Sequence, residues 1–245
     1  MQIIHSVIYG KSNFALLTTF NSQIGKNCLL MYKLTKDIIF PHPKFADDKG
    51  LLAFGGDLSL ERIKIAYENG IFPWYEEGQP ILWWSPDPRM VLFPENLKVS
   101  KSMKKLFNEK AFRVTYNEDF EYVIRKCSSI NRNRQNGTWI TEDMIESYIK
   151  LHEAGLAKSI EVWKDGHIVG GLYGILLKEK KVFCGESMFT EVDNASKYGF
   201  ITLVKNMEKN GITLIDCQVY TKHLESLGAE EISRHNFLTI LHSEV

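Results

Sequence analysis

The fold of this chain is decided by one stretch, residues 159–189, which reads SIEVWKDGHIVGGLYGILLKEKKVFCGESMF. Two runs within it, residues 159–164 and 167–177, have the composition of strands, and the Asp-Gly dipeptide between them is a strong hairpin signal. A turn over residues 178–181 leads into a third strand, VFCGESMF. The stretch therefore predicts three strands that follow one another directly.

Helices and strands alternate on both sides of this stretch. A helix capped by Thr141 and ended by Gly155 precedes it, and a core-facing helix over residues 195–210 follows it. A strand over residues 212–217 and a short helix over residues 221–228 complete the order. We therefore expect an α/β (α+β) fold with a mainly antiparallel sheet flanked by helices.

The N-terminal part of the sequence has a different character. Residues 40–94 are crowded with proline, glycine and aromatic residues. A short helix lies within them, with Ser59 as its N-cap and Gly70 as the residue that stops it. We expect a small, loop-rich domain over residues 1–88 and a larger one over residues 89–245, while roughly the first 37 residues show no usable pattern.

Composition limits the functions that remain. The 245 residues are 44% hydrophobic and 24% charged, which is enough to bury a sizeable core. Thirty basic residues balance thirty acidic ones, so any contact with RNA must come from a local patch. No apolar run reaches the roughly 18–20 residues of a membrane helix, and no signal peptide is recognisable.

The cysteines are scattered, without a CxxC pair or a His-rich segment that would suggest zinc. We interpret each of them as a reduced thiol in the core. Cys217 is the one also considered as a nucleophile. The four are Cys28, Cys127, Cys184 and Cys217.

Polar side chains end the predicted strand ITLIDCQ. Alternation along a strand would place Asp216 and Gln218 on one face, where the carboxylate would orient the amide so that its carbonyl accepts a hydrogen bond. The alternative is a satisfied network at the end of a strand, without a catalytic role. The feature alone allows both interpretations.

Glu186 lies among aromatic residues and methionine in FCGESMF. Carboxylates rarely enter such surroundings unless they are paired. Glu186 is therefore predicted either to bind an ammonium group or a ribose hydroxyl, or to pair with Lys197 or an arginine.

Two further features would suit a nucleic acid. Trp74, Trp83, Trp84 and Trp139 lie in contexts that favour loops, where their rings would stack on bases or line an apolar pocket, the alternative being core packing. Residues 98–113 carry six basic residues and one acidic residue. Such a run attracts phosphates, although a solvated helix face would also explain it.

Ten motifs occur in fixed order along residues 40–237: GLLAFGGDLS, GIFPW, ILWWSPDPR, GTWIT, SIEVW, GGLYG, FCGESMF, NASK, LIDCQ and SLGA. With these motifs the sequence resembles the leucyl/phenylalanyl-tRNA-protein transferase family of bacteria. Several of the motifs are long and unusual in composition, so coincidence is negligible.

The resemblance implies a C-terminal domain of the GNAT acetyltransferase type, beginning at about Arg89. It also implies an enzyme that transfers leucine, phenylalanine and, less efficiently, methionine from aminoacyl-tRNA to proteins or peptides with N-terminal Arg or Lys. This transfer marks the acceptor for degradation by the N-degron route. We expect a cytoplasmic monomer that uses no cofactor and no metal and has no membrane partner.

Residue roles follow from the same resemblance. The catalytic pair falls on Asp216 and Gln218, and Trp74, Trp139 and Glu186 are expected around the adenosine end of the tRNA and the acceptor. The pocket for the transferred side chain falls on Leu172, Phe183, Met188, Phe200, Leu203 and Ile215. The contacts to tRNA phosphates rest on charge and fall on Lys98, Lys101, Lys104, Lys105 and Arg113.

The expected reaction is aminolysis of an ester, in which Gln218, oriented by Asp216, accepts a hydrogen bond from the attacking amine. Glu186 or Asp216 would recognise the cationic side chain of the acceptor, and Cys217 as a covalent carrier is the alternative route. Two rival functions are a CoA-dependent N-acetyltransferase and a non-catalytic tRNA-binding protein. The first is disfavoured because TEVDNASKYG has no glycine before its helix to cradle a pyrophosphate.

Overall fold

In a computed structural model, the chain divides into two compact units, residues 1–87 and residues 88–245. Each unit has its own β-sheet. The structure describes residues 5–7, 15–18, 31–129 and 139–243.

The first unit is built on a sheet of six short strands in the described part of the chain. These strands are β1 (His5–Val7), β2 (Ala15–Thr18), β3 (Met31–Leu34), β4 (Leu51–Gly55), β5 (Phe72–Pro73) and β6 (Leu82–Trp84). Their spatial order is β1-β2-β3-β4-β6-β5. Neighbouring strands are antiparallel except β3 and β4, which are parallel.

The helix predicted between Ser59 and Gly70 is confirmed as α1 (Leu60–Glu68). The side chain of Ser59 accepts a hydrogen bond from the backbone N–H of Arg62 at 3.4 Å. Gly70 has a positive φ of 71°, which ends the helix. Local capping chemistry was therefore sufficient to place this helix.

The prediction that the four candidate tryptophans lie on loops is wrong for two of them. Trp83 and Trp84 form part of β6. Trp83 is fully buried, and its ring N–H donates to the backbone carbonyl of Gly55 at 2.9 Å. Aromatic residues fit a pleated sheet well, and this preference outweighed the surrounding prolines.

The second unit is built on a seven-stranded sheet in the described part of the chain. Its strands are β7 (Arg89–Leu92), β8 (Arg113–Tyr116), β9 (Ala157–Lys164), β10 (His167–Leu177), β11 (Val182–Thr190), β12 (Leu214–Gln218) and β13 (Glu230–Ile232). Their spatial order is β13-β7-β12-β11-β10-β9-β8. Neighbours are antiparallel except β11 and β12, which confirms the predicted mainly antiparallel sheet.

Helices cover both faces of this sheet, which confirms the predicted α/β (α+β) class. They are α2 (Lys101–Asn108), α3 (Phe120–Ser129), α4 (Glu142–Glu153), α5 (Ala195–Lys209), α6 (Lys222–Ser226) and α7 (Arg234–His242). Leu172 of β10 packs in the cluster that includes α5, whereas the next residue, Tyr173, contacts Phe120 of α3 and Tyr148 of α4. Successive side chains of a strand point to opposite faces, so α5 lies on one face and α3 with α4 on the other.

The pairing between β11 and β12 is short. The two strands pair only from Val182 to Cys184 and from Leu214 to Asp216. Beyond this ladder β11 continues to Thr190, while β12 ends at Gln218. Past the ladder, the side chains of Glu186 on β11 and Gln218 on β12 contact each other, and the candidate active site lies there.

Candidate active site

Strand β12 ends in an irregular turn at Gln218. A β-bulge interrupts its pairing with β7 between Asp216 and Gln218, and Gln218 has a positive φ of 64°. The backbone N–H of Gln218 donates to Asp216 Oδ1 at 3.0 Å, which fixes the turn. Backbone conformations of this kind cost about 1–3 kcal/mol and concentrate at functional sites.

A buried arginine holds Asp216 in place. Arg89 Nε and Nη2 donate to the two carboxylate oxygens of Asp216 at 2.8 and 2.7 Å, and each side chain is only 1% exposed. The guanidinium carbon lies 4.7 Å from the ring centroid of Phe237 in α7. Bidentate pairing engages both oxygens, so Asp216 is enclosed and acts on Gln218 through the backbone.

The predicted contact between the two side chains is therefore wrong. The amide of Gln218 is held by Glu186, whose Oε1 accepts a hydrogen bond from Gln218 Nε2 at 2.7 Å. The physical reason is the bulge, which breaks the strand alternation on which the prediction rested. Asp216 instead accepts from the backbone N–H of Gln218.

The contact with Glu186 also fixes which way the Gln218 amide faces. A carboxylate accepts hydrogen bonds, so the NH₂ group must face Glu186 and the carbonyl oxygen must face away from it. No described residue donates to that carbonyl oxygen. The site thus presents an oriented hydrogen-bond acceptor.

Glu186 lies half-buried on β11, beyond the segment that pairs with β12. Besides the Gln218 contact, it accepts a hydrogen bond at Oε2 from the hydroxyl of Tyr148 at 3.3 Å. Tyr148 is fully buried in α4 and holds the carboxylate from the protein interior. These two hydrogen bonds orient the carboxylate.

Two members of this network, Arg89 and Tyr148, were missed from the sequence. Arg89 directly precedes the apolar run MVLF, and a charge at the start of a buried strand is a signal for a buried ion pair. Tyr148 shares its helix face with Met144 and Leu151 and therefore looks like an ordinary core residue. Only the fold brings these residues to Asp216 and Glu186.

The six residues assigned to the side-chain pocket lie in one hydrophobic cluster. They are Leu172, Phe183, Met188, Phe200, Leu203 and Ile215. Leu172 pairs with Met188 across β10 and β11, and Phe183 pairs with Ile215 across β11 and β12. Five of the six are at most 3% exposed, and Met188 is partly buried. The structure brings these residues together; their role towards a substrate stays a prediction.

The remaining aromatic candidates lie apart in the chain. Trp74, in the first unit, is 37% exposed and its ring centroid lies 5.6 Å from that of Trp84. Trp139, in the second unit, is half-buried close to the start of α4. Their predicted place around an adenosine stays a prediction.

The basic candidates form an exposed surface on the second unit. Three lie on α2 and one just before it, and all four are exposed: Lys98, Lys101, Lys104 and Lys105. Arg113 differs, because it lies on β8, its guanidinium covers the ring of Trp163 at 4.5 Å, and it pairs with Glu118 at 3.7 Å. The exposed lysines suit phosphate contacts and a solvated helix face equally well.

The thiols support the interpretation as core residues. Cys127, Cys184 and Cys217 are free and buried, whereas Cys28 lies outside the described residues. Burial, and then the neighbouring charge of Asp216, raise the pKa of Cys217 well above its ordinary value. A thiol held in its protonated form is a poor nucleophile, which disfavours Cys217 as a covalent carrier.

In the described ranges, no helix combines the length and apolar character needed to cross a membrane. The same ranges contain no group of three or more His, Cys, Asp or Glu residues placed to bind a metal ion.

Among solved structures, this chain is distantly similar to FemX, with a TM-score of 0.47, 9% identity, and coverage of 95% of this chain and 86% of FemX. It is also distantly similar to a GCN5-related N-acetyltransferase from Kribbella flavida, with a TM-score of 0.35, 12% identity, and coverage of 69% of this chain and 60% of that protein.

Sequence comparison gives a sharper result. The family model described as leucyl/phenylalanyl-tRNA protein transferase matches residues 91–242, and the model of that family's N-terminal domain matches residues 56–87. The leucyl/phenylalanyl-tRNA--protein transferase of Christiangramia forsetii is 61% identical over 86% of this chain and all of that protein. The protein of the same name from Flavobacterium johnsoniae is 58% identical over 87% of this chain and all of that protein. The segment matched by the first model contains Glu186, Asp216 and Gln218. The chain belongs to the leucyl/phenylalanyl-tRNA protein transferase family.

Proposed function

We propose that this chain transfers leucine or phenylalanine, and methionine less efficiently, from aminoacyl-tRNA to the α-amino group of proteins that begin with Arg or Lys. The acceptor then enters the N-degron route of protein degradation. The chain's membership of an aminoacyltransferase family supports the reaction class. The orientation of the Gln218 amide by Glu186 is the observation that carries the proposal for the site.

The reaction joins the acceptor amine to the aminoacyl carbonyl carbon and breaks the ester bond to the ribose. The nitrogen loses one proton, and the leaving ribose oxygen gains one, from its vicinal hydroxyl or from water. An α-amine has a pKa of about 7.7–8.0, so an appreciable fraction is neutral near pH 7 and needs no strong base. Alignment of two substrates supplies about 7–11 kcal/mol of barrier reduction. The proposed route therefore uses no metal and no cofactor.

Gln218 is the catalytic residue in this proposal. Its carbonyl oxygen, turned away from Glu186, accepts a hydrogen bond from the attacking amine and aims the nitrogen lone pair at the ester. Because the amide is held through its NH₂ group at 2.7 Å, it is oriented before the substrate arrives. Preorganised acceptors of this kind avoid reorganisation during the reaction.

Asp216 and Arg89 act as positioning residues. Asp216 is enclosed and engaged by Arg89 through both oxygens, so it does not reach the substrate. It fixes the turn at Gln218 through the backbone N–H at 3.0 Å. The role proposed for Asp216 is therefore structural support of the catalytic amide.

Glu186 is the better candidate for recognising the acceptor's cationic side chain. It is half-buried on β11, and its carboxylate contacts the catalytic amide directly. Asp216 lacks these properties because Arg89 already neutralises it inside the protein. A carboxylate beside the attacking amine favours N-terminal Arg or Lys over neutral residues.

The apolar cluster that contains the six assigned pocket residues supports the choice of transferred side chain. Leucine, phenylalanine and methionine differ in branching but share bulk and apolarity. Met188, which is the least buried of the six assigned residues, is flexible and polarizable and adapts to all three shapes. An apolar site also rejects charged side chains, because their desolvation is not compensated.

The decisive experiment supplies the purified protein with radiolabelled leucyl-tRNA and two peptides, one with a free N-terminal Arg and the other N-acetylated. We expect label only in the free peptide, because the lone pair of the acetylated nitrogen is delocalised into its carbonyl group and is not nucleophilic. Gln218→Ala, tested beside it, should abolish transfer while tRNA binding persists. Tight tRNA binding by the wild-type protein without any transfer would instead favour a non-catalytic tRNA-binding protein.

A further inference from the structure

Two exposed apolar side chains follow the catalytic glutamine directly. Val219 is 41% exposed and Tyr220 is 45% exposed. Among the described residues of the second unit, the other large apolar side chain with such exposure is Tyr116 on β8. Strand β8 lies four positions from β12 in the sheet, or about 19 Å at the usual spacing of strands. An exposed apolar pair therefore adjoins the site, and Tyr116 is an exposed side chain far from the site that can serve as a control.

The pair is held in place by its neighbours. The backbone N–H of Val219 donates to the carbonyl of Cys217 at 2.8 Å, which closes a tight turn. The hydroxyl of Tyr220 donates to Glu225 Oε2 at 2.7 Å. Thr221 then caps helix α6 with its side chain. A surface fixed in this way loses little conformational entropy when a ligand covers it.

The charges around the pair favour a cationic partner. Residues 219–231 contain three glutamates and one lysine, a net charge of −2 with His223 neutral. The hydrogen bond to Glu225 raises the pKa of the Tyr220 hydroxyl, and the charges of Glu225 and Glu231 add to this effect. A negative surrounding repels tRNA phosphates and attracts a polypeptide that begins with Arg or Lys.

We propose that Val219 and Tyr220 bind the second residue of the acceptor polypeptide and favour a large apolar side chain there. This inference rests on the proposed function, which places the acceptor amine at Gln218. An extended chain advances about 3.3–3.6 Å per residue, so the second residue of the acceptor reaches the side chains that follow Gln218. The surface thus adds a second level of acceptor selection to the recognition of Arg or Lys.

The test compares two acceptor peptides that differ only at the second position, one beginning Arg-Phe and the other Arg-Gly. For the full-length wild-type protein we expect kcat/KM to favour Arg-Phe by about tenfold, the discrimination typical of one apolar contact. In the double variant Val219→Ser/Tyr220→Ser the preference should fall to within about twofold. Tyr116→Ser, which removes an equally exposed ring from β8, should leave both rates at their wild-type values.

Three results would overturn the inference. The first is an unchanged Arg-Phe preference in the double variant, which would show that the pair does not contact the second residue. The second is an equal loss with both peptides together with a raised KM for leucyl-tRNA, which would assign the surface to the tRNA. The third is a wild-type protein that uses both peptides equally well. Failure of the proposed function is distinguishable from all of these, because the wild-type protein would then transfer label to neither peptide.

Discussion

Among the described residues, each unit contains one buried arginine paired with an aspartate, and the two pairs differ in what surrounds the carboxylate. In the first unit Arg62, with no exposed side-chain surface, contacts Asp57 at 3.2 Å, and the Asp57 side chain is 52% exposed. In the second unit Arg89 and Asp216 are each 1% exposed and make two short hydrogen bonds. The Asp57 carboxylate is solvated, whereas the buried Asp216 carboxylate depends on Arg89 to balance its charge.

The further contacts of the two arginines explain this difference. Arg62 donates to the backbone carbonyls of Thr35 at 2.9 Å and Asp37 at 3.2 Å, so it ties together a loop and uses Asp57 only as an additional acceptor. Arg89 pairs with Asp216. Asp216 accepts a hydrogen bond from the backbone N–H of Gln218 and so fixes the turn there. Arg62 therefore stabilises a loop, whereas Arg89 acts on the backbone of Gln218 through the carboxylate of Asp216.

Arg89→Met is expected to have the largest effect. It leaves the carboxylate of Asp216 buried without its cation, which typically costs about 3–5 kcal/mol of unfolding free energy. Urea denaturation measures this loss, and transfer to the Arg peptide should also disappear.

The double variant Arg89→Met/Asp216→Leu separates stability from activity. Replacing both charges with apolar side chains should restore most of the unfolding free energy, yet transfer should remain lost because nothing holds the turn at Gln218. Recovery of transfer in the double variant would show that the pair does not position the amide.

Arg62→Met should have a smaller effect. The carbonyls that lose a donor lie in an exposed loop and can turn to water, and the solvated Asp57 tolerates the loss of its partner. We expect the unfolding free energy to fall by about 2 kcal/mol, as measured by urea denaturation followed through intrinsic tryptophan fluorescence. A loss as large as that of Arg89→Met would contradict the distinction between the two arginines.

Glu186→Gln should leave stability nearly unchanged and alter the choice of acceptor. It keeps an oxygen to receive the Gln218 hydrogen bond but removes the negative charge. We expect kcat/KM for a peptide beginning with Arg to fall about tenfold, with little change for a peptide beginning with citrulline, the uncharged analogue. Equal losses with both peptides would indicate that Glu186 orients the amide without recognising charge.

Asp57→Asn should have the smallest effect, below about 1 kcal/mol at neutral pH, as is usual for exposed ion pairs. Burial acts to raise the pKa of Asp57, but hydrogen bonds from Arg62 and Ser59 outweigh it and hold this pKa below its ordinary value of 3.8. Because the folded state has the lower pKa, the stabilisation is present above pH 3.8 and is lost as the pH falls through the folded value. The stability difference between wild type and Asp57→Asn should therefore shrink between about pH 5 and pH 3. A difference that stayed constant with pH would rule out this linkage.

The sequence predicted the parts of the fold that local chemistry decides. The hairpin turn has φ values of 50° at Asp165 and 81° at Gly166, as its dipeptide indicates. The caps at Ser59 and Thr141 also gave helices where they were expected. By contrast β7, β8 and β13 have three or four residues each, and strands this short are defined by their neighbours in the sheet more than by their own periodicity.

The sequence singled out three residues of the candidate site but did not indicate the contacts between them. Asp216, Gln218 and Glu186 all stood out, because polar residues at a strand end or among aromatics need an explanation. Their partners lay far away in sequence, however, because Arg89 and Asp216 are 127 positions apart and Glu186 and Gln218 are 32 positions apart. The bulge between Asp216 and Gln218 redirects the Gln218 side chain, and a strict alternation of side chains does not predict such a bulge.

Position 218 combines an unfavourable backbone conformation with the side chain proposed to be catalytic. Glycine or asparagine would adopt a φ of 64° more readily than glutamine. Glycine has no amide, and the amide of asparagine is one methylene shorter and withdraws from Glu186. Directed evolution that selects only for thermostability would therefore drive this position away from glutamine and deliver sturdier proteins that no longer transfer. A screen for robust variants should hold residue 218 fixed and seek its gains elsewhere.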